Sequence, residues 1–175
     1  GEGENGQIQS FLSQHGIPYT GSESMASMLA MNKHFTKIIA TENNIKTPSW
    51  LSVNINNADD SKILSYKSDK FTYPIVIKPN FQGSTLGLSI VRDKNEIHEA
   101  IKLASIYSDN IIIEKFIDGR ELTVGILGNQ ALDIVEIKPK SGFYDYDSKY
   151  TKGATEYISP AKIEPSISKI VKKNA

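Results

Sequence analysis

The stretch Pro74-Ile75-Val76-Ile77-Lys78-Pro79 constrains this chain more than any other. Three consecutive β-branched residues favour extended backbone. A proline at each end keeps the run out of a helix and confines it to a short segment. The pattern predicts a buried strand that ends in a lysine. A loop follows, Asn80 to Gly87, carrying two glycines and two hydroxyls, and Leu88–Val91 predicts the next strand.

The remaining elements fall around this strand–loop–strand unit. Ile8, Phe11 and Leu12 predict a short helix over residues 7–15. Met25, Met28, Leu29, Phe35, Ile38 and Ile39 share one face at helical spacing, predicting a single helix from Ser24 to about Asn43. Asn43-Asn44 and Pro48 end it. Asn54 to Lys70 is polar and reads as a turn and a weak helix. Asp93 and Glu96 predict a capping box for a helix bearing Ile97, Ala100, Ile101 and Ala104. Ile111-Ile112-Ile113-Glu114 reads as a strand. Leu122–Leu127 and Leu132–Ile137, separated by Gly128-Asn129-Gln130, read as a hairpin. Lys140 to Ser159 reads as a long loop, of a length that usually has a function. The last residues read as the start of a helix. The order predicts an α+β (mixed α/β) fold with mainly antiparallel pairing, and no repeated strand–helix unit of a doubly wound sheet.

Three clusters carry chemistry. In Lys78-Pro79-Asn80-Phe81-Gln82-Gly83-Ser84-Thr85-Leu86-Gly87, glycines let the backbone approach a ligand, and a lysine supplies a point charge for phosphate oxygens. The lysine precedes the glycines, so this is not a P-loop. The same residues would also suit a hairpin loop beside a surface lysine. In Glu114-Lys115-Phe116-Ile117-Asp118-Gly119-Arg120-Glu121, carboxylates flank a turn between strands. They could accept hydrogen bonds from ribose hydroxyls while the adjacent backbone pairs with an adenine edge, or they could be solvated turn charges. In Phe143-Tyr144-Asp145-Tyr146-Asp147-Ser148-Lys149-Tyr150, aromatic residues alternate with charged ones, as in a lid that excludes water from a reacting phosphoryl group. Lys33 by itself reads as a helix-surface lysine. His15, His34 and His98 have no metal-ligand spacing, and Ser84 has no nearby histidine for a hydrolase triad.

Composition removes other classes. Lys+Arg and Asp+Glu both number 20, so the formal net charge is zero, against a nucleic-acid binder working by bulk charge. There is no cysteine, hence no disulfide, thiolate metal site or thiol nucleophile, which fits a cytoplasmic location. No apolar run reaches the roughly 18 residues of a membrane helix.

Taken in order, these clusters resemble the D-alanine–D-alanine ligase family of the ATP-grasp superfamily. Gly3-Glu4-Asn5-Gly6 with Gln9 is similar to the family's Gly-Glu-Asp-Gly segment, and Ile17-Pro18-Tyr19-Thr20-Gly21-Ser22 to the stretch after it. Asn32-Lys33 is similar to its Asp-Lys pair. The resemblance implies that Lys33, Lys78 and Lys149 hold phosphates and that Gly83, Ser84 and Thr85 close over ATP. It implies that Glu114, Lys115, Phe116 and Ile117 recognise adenine, and that Glu121 binds ribose. Phe143, Tyr144, Lys149 and Tyr150 would belong to a mobile loop over the active site. Ser84 and Tyr150 would form the hydrogen-bonded link that closes it. Relatives making D-alanyl-D-lactate lack the Lys-Tyr pair, so Lys149-Tyr150 favours the dipeptide product. Gln82, Thr85, Asn32 and Asn5 depart from the family's glutamate, serine, aspartate and acid.

The implied reaction joins two D-alanines through an acyl phosphate, with ATP and two magnesium ions, for peptidoglycan synthesis. Its alternatives are another ATP-grasp carboxylate–amine ligase and a non-catalytic nucleotide-binding fragment. The implied fold is two α+β subdomains with antiparallel sheets gripping ATP, preceded by the tail of a Rossmann-like domain. On this reading residues 1–30 are that tail, 31–115 the central subdomain and 116–175 the start of the C-terminal one. The chain reads as a fragment lacking both termini, with the first D-alanine site and the metal ligands outside it, and is expected to be inactive alone. The whole protein is expected to be a homodimer.

Overall fold

The computed structural model describes residues 3–57 and 72–175. The chain divides into two compact units, one ending at Ile117 and the other spanning Asp118–Ala175.

In the first unit, helices α1 (Gln7–Gln14), α2 (Ser24–Met31) and α3 (Lys33–Glu42) precede strand β1 (Trp50–Asn54). After it come β2 (Ile75–Pro79), β3 (Ser89–Val91), helix α4 (Ile97–Ser105) and β4 (Asn110–Lys115). The four strands form one sheet in the order β1-β4-β2-β3, with every pairing antiparallel. Because side chains alternate across a strand, the register sorts them into two faces. Ile77 opposes Ile113, and Ile75 opposes Val91. These residues join Val53, Ile111 and the apolar stripe of α4 (Ile97, Ala100, Ile101, Ala104) in the core. Each of the valine and isoleucine side chains among them contributes roughly 1.5–3 kcal/mol when fully buried. The other face receives the neighbouring positions: Val76 and Trp50 oppose Glu114, and Lys78 opposes Ile112. The strand predicted from the prolines therefore has one core face and one face carrying a lysine.

Two expectations for this unit need correction. The helix predicted from Ser24 to Asn43 is two helices. Asn32 between them is extended, and its side chain accepts from the Phe35 amide at 3.2 Å, so it caps α3 and breaks the run. The apolar face assigned to that helix is largely exposed at Met25, Met28, Phe35 and Ile39. The capping box at Asp93 and Glu96 does not close. Asp93 caps a 3-10 turn at the Asn95 amide, while Glu96 accepts from the Arg92 amide at 2.6 Å. Of the polar segment after Asn54, Ile55–Asn57 forms a 3-10 turn, and the weak helix expected within 58–70 lies outside the described residues.

In the second unit, β5 (Glu121–Leu127) and β6 (Gln130–Pro139) form the expected hairpin, with a bulge between Val124 and Ile126. Residues 140–159 are not one continuous loop. They contain helix α5 (Tyr146–Tyr150) and strand β7 (Thr155–Ile158), which pairs antiparallel with β6. Asp145 explains the helix. It caps α5 in a reciprocal capping box with Ser148. Helix α6 (Pro165–Asn174) opens with proline at its first position and is tied to β6 by Lys172 and Asp133 at 3.0 Å. No helix among the described residues is long and apolar enough to cross a membrane.

Candidate functional site

Strand β2 delivers Lys78 to the non-core face of the first sheet, and β4 delivers Glu114 to the same face. Their side chains meet, with Lys78 Nζ donating to Glu114 Oε1 at 2.5 Å. From α3, Lys37 reaches the other carboxylate oxygen, Oε2, at 2.8 Å. Lys33, one helical turn before Lys37, donates through Nζ to the Gln82 carbonyl and to the Asn80 carbonyl at 3.4 Å. Three ammoniums thus gather around one carboxylate at the root of the glycine-rich loop.

The charges perturb one another. Burial pushes Lys33 down from 10.5 to about 8, and the neighbouring Lys78 adds to the fall while Glu114 opposes it. Burial lowers Lys37 as well, against the pull of Glu114. Burial works to raise the Glu114 carboxyl. The ammonium of Lys78, with hydrogen bonds from Lys37 and Lys78, outweighs it and holds the carboxyl below its ordinary value. Glu114 therefore stays ionised, and its oxygens are engaged by lysines. The carboxylate read from sequence as available to a ribose is occupied.

The loop above this cluster has an uncommon backbone. Ser84 and Thr85 both have positive φ, 52° and 63°, a conformation costly for residues with a Cβ. Gly87 has φ 71°, and a Cβ there would sit 2.6 Å from Tyr107 and 2.8 Å from Pro79, so glycine is required on two grounds. Gly83 lies beside Glu4, whose carboxylate would be 3.5 Å from a Cβ at that glycine. On β4, the Lys115 amide donates to Ser49 at 3.0 Å, and the next amide, Phe116, donates to Pro74 at 3.3 Å. Ile117 follows with its side chain exposed.

The second unit assembles a separate set. Register places Glu121, Ile137 and Tyr157 side by side on one face of its sheet. The Tyr157 and Tyr144 hydroxyls are 2.9 Å apart, and the Lys149 ammonium lies 5.0 Å from the Tyr144 ring centre. The Tyr146 and Tyr150 rings pack at 4.7 Å. The hydrogen bond to Tyr157, with burial, pushes Tyr144 up to about 12. Burial raises the Glu121 carboxyl, and Lys149 opposes it. Ser148 Oγ donates to the Phe143 carbonyl at 2.8 Å, and Thr155 Oγ1 to the Ser148 carbonyl at 2.6 Å. These bonds make the Phe143–Tyr150 segment an ordered cap on β7. On the opposite face, Arg120 binds Glu136 through two hydrogen bonds, 2.8 and 2.6 Å.

Sequence reading singled out Lys33, Lys78 and Glu114 separately, and the structure brings them together. It missed Lys37, although Lys33 and Lys37 stand at i and i+4 on one helix, the spacing that puts two side chains on the same face. It also missed Asn80, whose side chain accepts from His34 at 2.9 Å and donates to Asn32 at 3.0 Å. Among the described residues no group of three or more His, Asp or Glu gathers to hold a metal ion.

Comparison with known proteins identifies the family and the fold. The family model described as "D-ala D-ala ligase C-terminus" matches residues 39–175. A D-alanine–D-alanine ligase from Methylacidiphilum infernorum is 44% identical over 173 residues, 99% of this chain and 54% of that protein. The VanG D-Ala:D-Ser ligase from Enterococcus faecalis superposes with a TM-score of 0.85 at 30% identity, over 99% of this chain and 51% of that one. A D-alanine–D-alanine ligase from Bacillus anthracis, solved with ATP, gives 0.77 at 29% identity, over 99% and 55%. The chain spans about half the length of the curated relatives it matches.

Proposed function

The chain belongs to the D-alanine–D-alanine ligase family and has its ATP-grasp fold, and from that premise we propose that it carries much of the nucleotide site of an ATP-dependent ligase joining two D-alanines. The observation that carries the reading is the gathering of Lys33, Lys37 and Lys78 around Glu114 beneath the Gly83–Gly87 loop. A triphosphate spreads negative charge over several oxygens, and catalysis of its transfer depends on positioning and neutralising that charge.

In this reading Lys33 and Lys78 hold phosphate oxygens, and the backbone of Gly83, Ser84 and Thr85 covers them. Glu114, Lys115, Phe116 and Ile117 line adenine, with Glu114 acting through its lysines rather than as a free acceptor. Glu121 takes the ribose, and Lys149 adds a further ammonium. Phe143 and Tyr144 belong to the covering segment, and Ser84 and Tyr150 make its closing hydrogen bond. The γ-phosphoryl group passes to the carboxylate of one D-alanine, giving an acyl phosphate and ADP. The amine of the second attacks that carbonyl, phosphate leaves, and the dipeptide remains, a precursor for peptidoglycan. Residues 1–30 would be the tail of an N-terminal domain, 31–115 the central subdomain and 116–175 the start of the C-terminal one. The whole protein would be a cytoplasmic homodimer.

ADP release by the full-length protein tests this, with D-alanine, D-serine and L-alanine offered in turn. Release that needs D-alanine alone, with dipeptide formed, supports it. Release that needs D-serine as well would move the reading to the D-Ala:D-Ser activity named for the Enterococcus faecalis relative. ATP binding without release under any amino acid would leave a nucleotide-binding protein.

A further inference from the structure

Lys37 is a buried charge that the mechanism above does not use. It is 7% exposed. Its ammonium donates to Thr47 Oγ1 at 2.8 Å and to the Pro48 carbonyl at 3.1 Å, and it forms an ion pair with Glu114 Oε2 at 2.8 Å. The Trp50 ring lies 5.2 Å away on another side. Buried, and held by Thr47, Pro48 and Glu114, Lys37 is turned inward and away from a ligand. Lys78 differs. Among the described residues it donates to Glu114 and to no other acceptor, which leaves hydrogens for an incoming anion.

We propose that Lys37 is a positioning residue for phosphate binding, acting on Lys78 through the carboxylate they share. The inference rests on the nucleotide reading above and deepens it. Glu114 and Lys78 by themselves would be a closed, neutral pair with little attraction for phosphate. Lys37 supplies the second cation that Glu114 needs, so Lys78 is held in place without being neutralised. Three lysines and one glutamate leave the cluster a formal charge of +2. Loss of Lys37 would leave +1, and Glu114 would draw Lys78 inward. The anchor is also rigid, because Thr47, Pro48 and Trp50 hold Lys37 from the segment that leads into β1. Pairs of this kind commonly shift affinity more than their distance from the ligand would indicate.

The test titrates ATP and adenosine separately into the full-length protein and its Lys37→Met, Glu114→Gln and double variants. Lys37→Met is expected to weaken ATP about tenfold and leave adenosine unchanged. The double variant returns the formal charge to +2, and glutamine keeps an oxygen for Lys78. It is expected to regain the ATP-over-adenosine preference to within about twofold. A purely structural lysine would weaken both ligands in Lys37→Met and regain nothing in the double variant, and either result overturns the proposal. Should Lys37→Met fail to fold after one partner of the buried carboxylate is removed, Glu114→Gln and the double variant carry the comparison. The single variant must then show the higher ATP preference, and equal preference overturns the proposal. An unsubstituted protein that binds neither ligand refutes the nucleotide reading itself and takes this proposal with it.

Discussion

The lowered basicity of Lys33 sets a pH dependence that can be worked out in advance. Its free-state pKa is about 8, below the ordinary 10.5, from burial first and Lys78 second. A bound phosphate beside the ammonium favours the charged form, so binding above this pKa takes up a proton. ATP itself changes little in the window, since secondary phosphate ionisation is complete above about pH 7. If only the protonated lysine binds well, affinity follows its protonated fraction, which falls about tenfold between pH 7 and pH 9. Calorimetric titration of ATP at the two pH values measures this. Lys33→Arg stays charged throughout, because guanidinium does not titrate in the range, and should abolish the fall. Lys78, Lys37 and Glu114 also surround the site, and the arginine variant separates Lys33 from them. Equal ATP affinity at both pH values, or the same fall in Lys33→Arg, would refute the reasoning. Folding without ligand runs the other way. The unfolded chain keeps this proton up to 10.5 and the folded chain only to about 8, so the Lys33 contribution makes stability rise with pH across that window.

Three further outcomes are expected. Gly87→Ala should destabilise the protein by about 1–2 kcal/mol from left-handed backbone alone, with the clash against Tyr107 and Pro79 adding to it. Urea unfolding measures the sum, and a change under 0.5 kcal/mol would contradict it. Ile77→Ala, at a side chain with no exposed surface, should cost about 2–5 kcal/mol in the same assay. Tyr157→Phe removes the hydrogen bond that is the largest cause of the Tyr144 shift to about 12. Tyrosinate absorbance should then show one phenol titrating nearer its ordinary value, and an unchanged titration would mean that the Tyr144–Tyr157 bond does not form.

What sequence revealed and what it hid divide along one line. Short-range patterns were readable: the proline-bounded run at residues 74–79, the Ile97–Ala104 stripe and the Gly128-Asn129 hairpin all rest on spacing within a few residues. Where long-range bonds decide, the patterns misled. The apolar residues from Met25 to Ile39 fit one helix, yet Asn32 breaks it because its side chain is recruited by both Phe35 and the distant Asn80. The polar stretch after Lys140 lacks strand alternation, yet Thr155–Ile158 is a strand because β6 offers it an edge. The same holds in the site. Lysine before a glycine-rich loop is a local signal and was found. Lys37 shares a helix face with Lys33, but its place in the site is fixed by a carboxylate 77 positions along the chain.

The broken helix also decides how this site can attract an anion. A helix N-terminus is a ready phosphate site when its first N–H groups lack partners, and α3 begins close to the glycine-rich loop. Its amides are already committed. Lys33 donates to the Asn80 carbonyl at 3.3 Å, His34 to Asn80 Oδ1 at 2.9 Å and Phe35 to Asn32 Oδ1 at 3.2 Å. The Asn80 amide in turn donates to Asn110 at 2.9 Å, which fixes this junction to β4. The two asparagines therefore use up the helix end to hold α3 against β2, and in doing so they aim Lys33 at the loop. On the proposed reading, attraction for phosphate is left to the lysines and the glycine-rich loop rather than to this helix end. On that reading, the same site binds a triphosphate and releases a diphosphate. Point charges respond to the number of phosphate charges before them, whereas a capped helix end offers little to either.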